Sequence, residues 1–169
     1  MCSSDHMNNL VLRGFFLIAM FMPCAISIAH ELPKNYSHVV LDLPFDHISE
    51  EPWSKIIDNQ EEWADFYLNL IEENAPDSVA SYILPEIDFE TFRVVTGGIG
   101  VRTSGGHSVS ISKVVETTDA VYIEVLVIKP DGNCLVTANI TYPSAAIMIR
   151  KSDKPISFSS TELTHICQL

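Results

Sequence analysis

The chain has 169 residues, 47% hydrophobic and 19% charged, and its 22 acidic against 10 basic side chains leave a net charge of −12. Such an acid excess disfavours nucleic acid and anionic membrane surfaces as partners, since both would be repelled. No internal repeat, heptad run or low-complexity segment interrupts a composition typical of a globular domain.

In chain order, 8-NNLVLR-13 followed by 14-GFFLIAMFMPCAISIA-29 gives a short polar region with one Arg, an apolar stretch broken at Pro23, and a small-residue end. This is the pattern of a secretory signal peptide over 1–29, with cleavage expected after Ala29. The apolar stretch is short for a bilayer span and runs into His30-Glu31 rather than a basic flank, so no stable membrane span is expected. Asp5 and His6 sit oddly ahead of a signal, whereas Met7 opens a conventional one, so Met1 and Met7 both stand as starts. Cys24 raises lipidation as an alternative, against which Phe21-Met22-Pro23 is a poor processing context. The expectation is a periplasmic or secreted protein.

Cleavage there leaves 140 residues, still at −12 because Asp5 and Arg13 depart together. That length suits one domain, over 56–169, behind a lead segment at 30–55. Of four cysteines, Cys134 and Cys167 remain, and in an oxidising compartment the expected outcome is one disulfide rather than two buried thiols or a metal site. Closing a loop of this size is worth about 3–4 kcal/mol in the chain-entropy account.

Within the lead, 39-VVLDLPFDHI-48 could supply a short strand before Pro44. The spacing predicts a helix over 58–73, with Asp58 as N-cap and Glu61 as its capping-box partner. Trp63, Phe66, Tyr67, Leu70 and Ile71 form one apolar stripe, read as the face that packs on a sheet, with Glu61-Glu62 and Glu72-Glu73 on the solvated side. Asn74-Ala75-Pro76-Asp77 ends the helix.

From Phe89 the apolar period changes from 3.6 to 2, predicting strands near 91–97, 107–115, 121–129, 134–142, 145–150 and 156–160. In 121–129 both faces are apolar, which suits a central strand. Pro130-Asp131-Gly132-Asn133 predicts a tight hairpin joining 121–129 to 134–142. The expected class is α+β, mostly β: an antiparallel sheet, meander, sandwich-like or partly closed, with one amphipathic helix packed on it. Of two sequons, Asn35-Tyr36-Ser37 and Asn139-Ile140-Thr141, the second falls in a predicted strand, a poor place for a glycan.

The stretch 97-GGIGVRTSGGHSVSI-111 invites three chemical readings. A hydrolase using Ser104 and His107 lacks the G-x-S-x-G elbow and any visible third member. A dinucleotide cradle at Gly98-Ile99-Gly100 lacks the third glycine and runs into a strand where a helix should begin. Backbone geometry is the remaining reading, glycines allowing close chain approach between two strands. The histidines His30, His38 and His47, with Asp42 and Asp46 nearby, show no ligand-pair spacing and read as exposed side chains, so no metal is expected. No cofactor is expected either.

These elements carry a resemblance. In 57-IDNQEEWADFY-67, Asp88-Phe89, 104-SGGHSVSISKVVE-116, the alternating strand 121–127 and 137-TANITYPSAAIMI-149, the chain resembles the PrcB C-terminal domain family over about 56–150. That family of exported bacterial proteins is named after a subunit of a surface protease complex. Its glycine pair is usually followed by an aromatic, where this chain has His107. The resemblance implies an extracytoplasmic, β-rich domain and supplies no catalytic residues.

The expected function is a non-enzymatic binding or assembly module, an accessory or stabilising factor for another exported protein or protease complex. Gly98, Gly100, Arg102, Ser104, Gly105, Gly106 and His107 are its candidate interaction loop. The alternatives are a small-ligand or metal carrier and, behind it, a small hydrolase using Ser104 and His107.

Overall fold

A computed structural model describes residues 34–167, apart from the side chains of 78–80. The expected signal segment, its cleavage site and the alternatives at Met7 and Cys24 lie outside the described residues. Eight strands and one α-helix follow in the order β1 (Lys34–Asn35), β2 (Val39–Leu41), β3 (Trp53–Ile57), α1 (Gln60–Asn74), β4 (Phe92–Gly98), β5 (Ser108–Glu116), β6 (Val121–Pro130), β7 (Ser144–Arg150) and β8 (Ile156–His165). A 3-10 helix at Pro76–Ser81 follows α1.

The helix begins one residue later than expected. Asn59, not Asp58, is the N-cap: its side chain accepts a hydrogen bond from the Glu62 amide at 2.8 Å. Glu62 rather than Glu61 stands three residues after the cap, and its carboxylate accepts from the amide of Asp58, the residue before the cap, at 3.5 Å. An amide oxygen at Asn59 reaches the third helical N–H as well as a carboxylate would, and the apolar stripe does not distinguish the two starts. Trp63, Phe66, Tyr67, Leu70 and Ile71 are all buried, and the indole N–H of Trp63 donates to the Pro85 carbonyl at 3.0 Å.

The strands form two four-stranded sheets, β1-β5-β6-β8 and β2-β7-β4-β3. Alternation along the second sheet assigns its two faces. Ile57 and Val94 join the aromatic stripe of α1, with Met148 packed alongside, while Val95, Ile147 and Ile149 turn the other way and meet Val114, Val121 and Ile123 of the first sheet. The result is three layers, helix on sheet on sheet, with two cores separated by the strands they share. In β5 the register slips between Ile111 and Lys113, a bulge at Ser112 that lets Val109, Ile111 and Val114 all serve the same face.

The α+β, mostly β class holds, as do the helix on one sheet face and β6 as a central strand. Strand 134–142 does not form. The Asp131–Cys134 turn is present, with the Cys134 amide donating to the Asp131 carbonyl at 3.0 Å. Beyond it the chain leaves the sheet, because β8 already occupies that edge of β6 in a ten-residue parallel ladder from Val121↔Ile156 to Pro130↔His165. The meander is therefore broken, and β8 is longer than the expected 156–160. The sequon at Asn139 consequently lies in an exposed loop rather than in a strand.

The Cys134–Cys167 disulfide is formed, with Cα atoms 5.2 Å apart and a sequence separation of 33. With the Asp131 amide donating to the His165 carbonyl at 2.9 Å, it pins the end of β8 to the turn after β6.

Candidate functional site

The glycine-rich segment leaves β4, crosses one end of the two sheets and enters β5. Its backbone is stitched to the displaced segment 137–143: Arg102 and Thr141 exchange N–H to carbonyl bonds at 2.8 and 2.9 Å, and the Gly105 amide donates to Thr137 at 2.9 Å. This explains where 134–142 finds partners once β6 is taken. Two glycines are required by conformation, Gly100 at φ 75° and Gly106 at φ 83°. At Gly100 a Cβ would also stand 2.6 Å from the Glu50 carbonyl oxygen. Gly98 and Gly105 are needed for close approach instead, a Cβ there falling 2.7 Å from the Trp53 indole nitrogen and 2.4 Å from the Thr137 hydroxyl.

Beneath this loop the sheets separate into a cleft of about 480 Å³. Its floor is Val95 and Ile111 with Val125 and Val127; Arg102 and Glu162 stand at its rim, and Phe158 of β8 closes one side. Phe158 is 42% exposed although it shares a face with the buried Ile123, its partner in the ladder. A second cleft of about 730 Å³, lined by Leu41, Phe45, Asp46, Ser110, Tyr142 and Ala146 among others, opens on the far side between β2 and the first half of β5. It shares Val109, Ile111 and Ala145 with the first, but of the candidate loop residues it contains none.

Charges cluster at the first cleft. Lys129 pairs with Glu162, and this hydrogen bond holds the Glu162 carboxyl below its ordinary range, with Arg102 and His107 assisting. Half-buried His107 is shifted the other way from a charged switch: burial first, then Arg102 and Lys129, lower its affinity for a proton against the opposing pull of Glu162. The imidazole is thus held neutral among two cations and one carboxylate.

The loop brings Arg102 and His107 into one electrostatic neighbourhood. It does not join Ser104 to His107: Ser104 accepts through its carbonyl from the Thr141 hydroxyl at 3.1 Å, and no hydrogen bond links its hydroxyl to the imidazole among the described residues. Nor is any group of three or more His, Cys, Asp or Glu placed to hold a metal among the described residues. His38 and His47 are half-buried rather than exposed. His47 packs edge-on against Trp53 with ring centres 4.8 Å apart and pairs with Glu73 at 3.2 Å, while Asp46 accepts from the Ser144 hydroxyl at 2.6 Å.

Four residues at this site were not singled out from sequence. Val125 and Val127 were visible as one face of an alternating strand, but not as the floor of a cleft. Phe158 and Glu162 reach the site only through the parallel β6–β8 ladder, which no local pattern announces.

No described helix is long and apolar enough to cross a membrane. No curated protein and no solved structure matches the chain. Residues 93–150 match the family described as PrcB C-terminal. The matched stretch begins at β4 and ends at β7, so it carries the glycine-rich loop and the cleft floor, whereas α1, β3 and β8 fall outside it. The resemblance to the PrcB C-terminal family is thus supported over residues 93–150.

Proposed function

We propose that this chain is an exported, non-enzymatic binding or assembly module, an accessory or stabilising factor for another envelope protein, and that the cleft under loop 98–107 is where it binds. The observation that carries this reading is the cleft itself: an apolar floor of Val95, Ile111, Val125 and Val127 with charged groups confined to its rim. Binding sites share that division, apolar area for affinity and a few placed polar groups for orientation. The disulfide favours an oxidising compartment, consistent with export to the periplasm or beyond. The family's naming after a protease complex subunit supports an assembly role. Against a hydrolase stands the separation of roles at the loop, where Ser104 bonds through its backbone and His107 lies among Arg102, Lys129 and Glu162.

The test is capture from an envelope extract of the source organism, with the processed, disulfide-bonded protein as bait. A protein retained by the wild type and lost with Phe158→Glu supports the proposal. Retention of the same proteins by both, or of none by either, removes it. The volume of the same cleft favours one second reading, a carrier of a small apolar ligand. Its sign is a melting temperature raised by small apolar carboxylates, since a ligand selective for the native state must stabilise it.

A further inference from the structure

The cleft has two lips, and both are sheet edges. Among the described residues β8 pairs only with β6, and β3 only with β4; no ladder joins β8 to β3 across the gap. Along the ten residues of β8, every second residue therefore carries unpaired backbone N–H and C=O groups on the outer side, in a strand with no proline. Such an edge is a template for another strand unless something covers it. The side chains on the lips match that template. Trp53 and Lys55 lie over Phe66 of the helix layer and Ile57 is buried there, which leaves Ser54 and Ile56 facing the other sheet. Ile56 is 39% exposed on one lip and Phe158 42% exposed on the other, each in register with a buried core residue, Val95 and Ile123.

We infer that an extended strand of a partner protein adds to the free edge of β8 and lays alternate apolar side chains into the cleft, closing the seam between β8 and β3. Backbone hydrogen bonds to β8 would supply the generic affinity, and the pocket lined by Phe158, Val125, Val127 and Val95 the selection for apolar residues at every second position. The occupant is a strand of a different protein because a second copy of this chain would bring another charge of −12 to the interface. The inference rests on the binding role proposed above and specifies what is bound.

The probe is a decapeptide of alternating valine and threonine with two lysines at each end, alongside two versions N-methylated on the valine amides or on the threonine amides. Binding is read from backbone amide shifts of the labelled, disulfide-bonded protein. Strand addition uses only one of the two sets of peptide amides, so one methylated version should bind within about threefold of the parent and the other more than about tenfold more weakly, having lost several ladder bonds. On the protein side, Phe158→Glu should weaken the parent peptide by a similar factor and Ser157→Glu, on the opposite face, should not. Equal binding of the two methylated peptides, or no shift along β8 at millimolar parent peptide, overturns the inference. Those results leave extract capture untouched; conversely, failed capture with intact methylation selectivity refutes the envelope role alone.

Discussion

Removing the disulfide should destabilise the protein by an amount set by the loop it closes, and the loss should begin at one strand. Cys134 and Cys167 are 33 residues apart. Restoring that freedom to the unfolded chain is worth about 4 kcal/mol. For a domain of this size, with unfolding entropy near 2 cal/mol/K per residue, the same change lowers the melting temperature by about 14 °C. The site of first opening follows from burial: every residue of β8 after Ile156 is exposed, and the strand is held by one ladder, the exposed Lys129–Glu162 pair, the Asp131–His165 bond and the disulfide. A Cys134→Ser/Cys167→Ser double variant, compared with wild type by guanidinium unfolding and by amide exchange, measures both quantities. Exchange in β8 should accelerate well before that in β4 or β7, whose residues flank both cores. A loss below about 1 kcal/mol, well short of the chain-entropy value, with β8 still as protected as β4, would refute the view that the disulfide is what holds this strand.

The remaining predictions concern the loop, the helix start and two titrating groups. Gly100→Ala combines φ 75° with a Cβ 2.6 Å from the Glu50 carbonyl and should cost about 1–3 kcal/mol, whereas Gly132→Ala meets nothing within 4 Å and should stay within about 0.5 kcal/mol; equilibrium unfolding separates them. Asn59→Ala should cost about 1 kcal/mol through loss of the cap to the Glu62 amide, read in the same assay. Glu116 receives hydrogen bonds from Lys154 and Ser152, and the Lys154 bond first of all lowers its affinity for a proton. Its contribution is present above the ordinary carboxyl value of 4.5 and lost as pH falls through the lower folded value, so Glu116→Gln should be less stable at neutral pH and converge on wild type in acid. His107 is also depressed, from an ordinary 6.5, by burial and then Arg102. Stability should fall as pH drops from 6.5 through the folded value, and His107→Gln should flatten that slope in a series of unfolding curves.

Much of the fold was legible because it is written in local periods. The α1 stripe from Trp63 to Ile71 and the strands expected near 91–97, 107–115, 121–129 and 145–150 follow from spacing alone, and elements form within a residue or two of each. The failure at 134–142 has one cause. That segment has strand-like composition and follows a strong turn, so local chemistry favours a hairpin; the competitor, β8, is 26 residues beyond the end of β6 and pairs in parallel. A choice between a near antiparallel partner and a distant parallel one is settled by tertiary packing and by the disulfide, neither of which has a period to read. The Ser112 bulge hid a second fact for the same reason, since it resets the parity by which Val109 and Val114 come to share a face.

The same displacement accounts for the site. Had 134–142 paired with β6 as expected, the edge of that sheet would be followed at once by β7 and there would be no Phe158 lip. Because β8 takes the edge instead, 137–143 is driven against the glycine-rich loop, and the glycines become necessary: Gly105 to let Thr137 approach, Gly106 to turn beside Val136. The loop thereby holds Arg102 and His107 opposite Lys129 and Glu162, charges drawn from β6 and β8. The glycine-rich stretch is thus structural in its backbone and a candidate binding surface in its side chains, and both follow from a single choice of partner for β6. A variant that prevented β8 from docking should therefore disturb the His107 environment as well as the seam. The imidazole resonances of the double-serine variant provide the check: unchanged shifts with β8 detached would show that the loop is held without it.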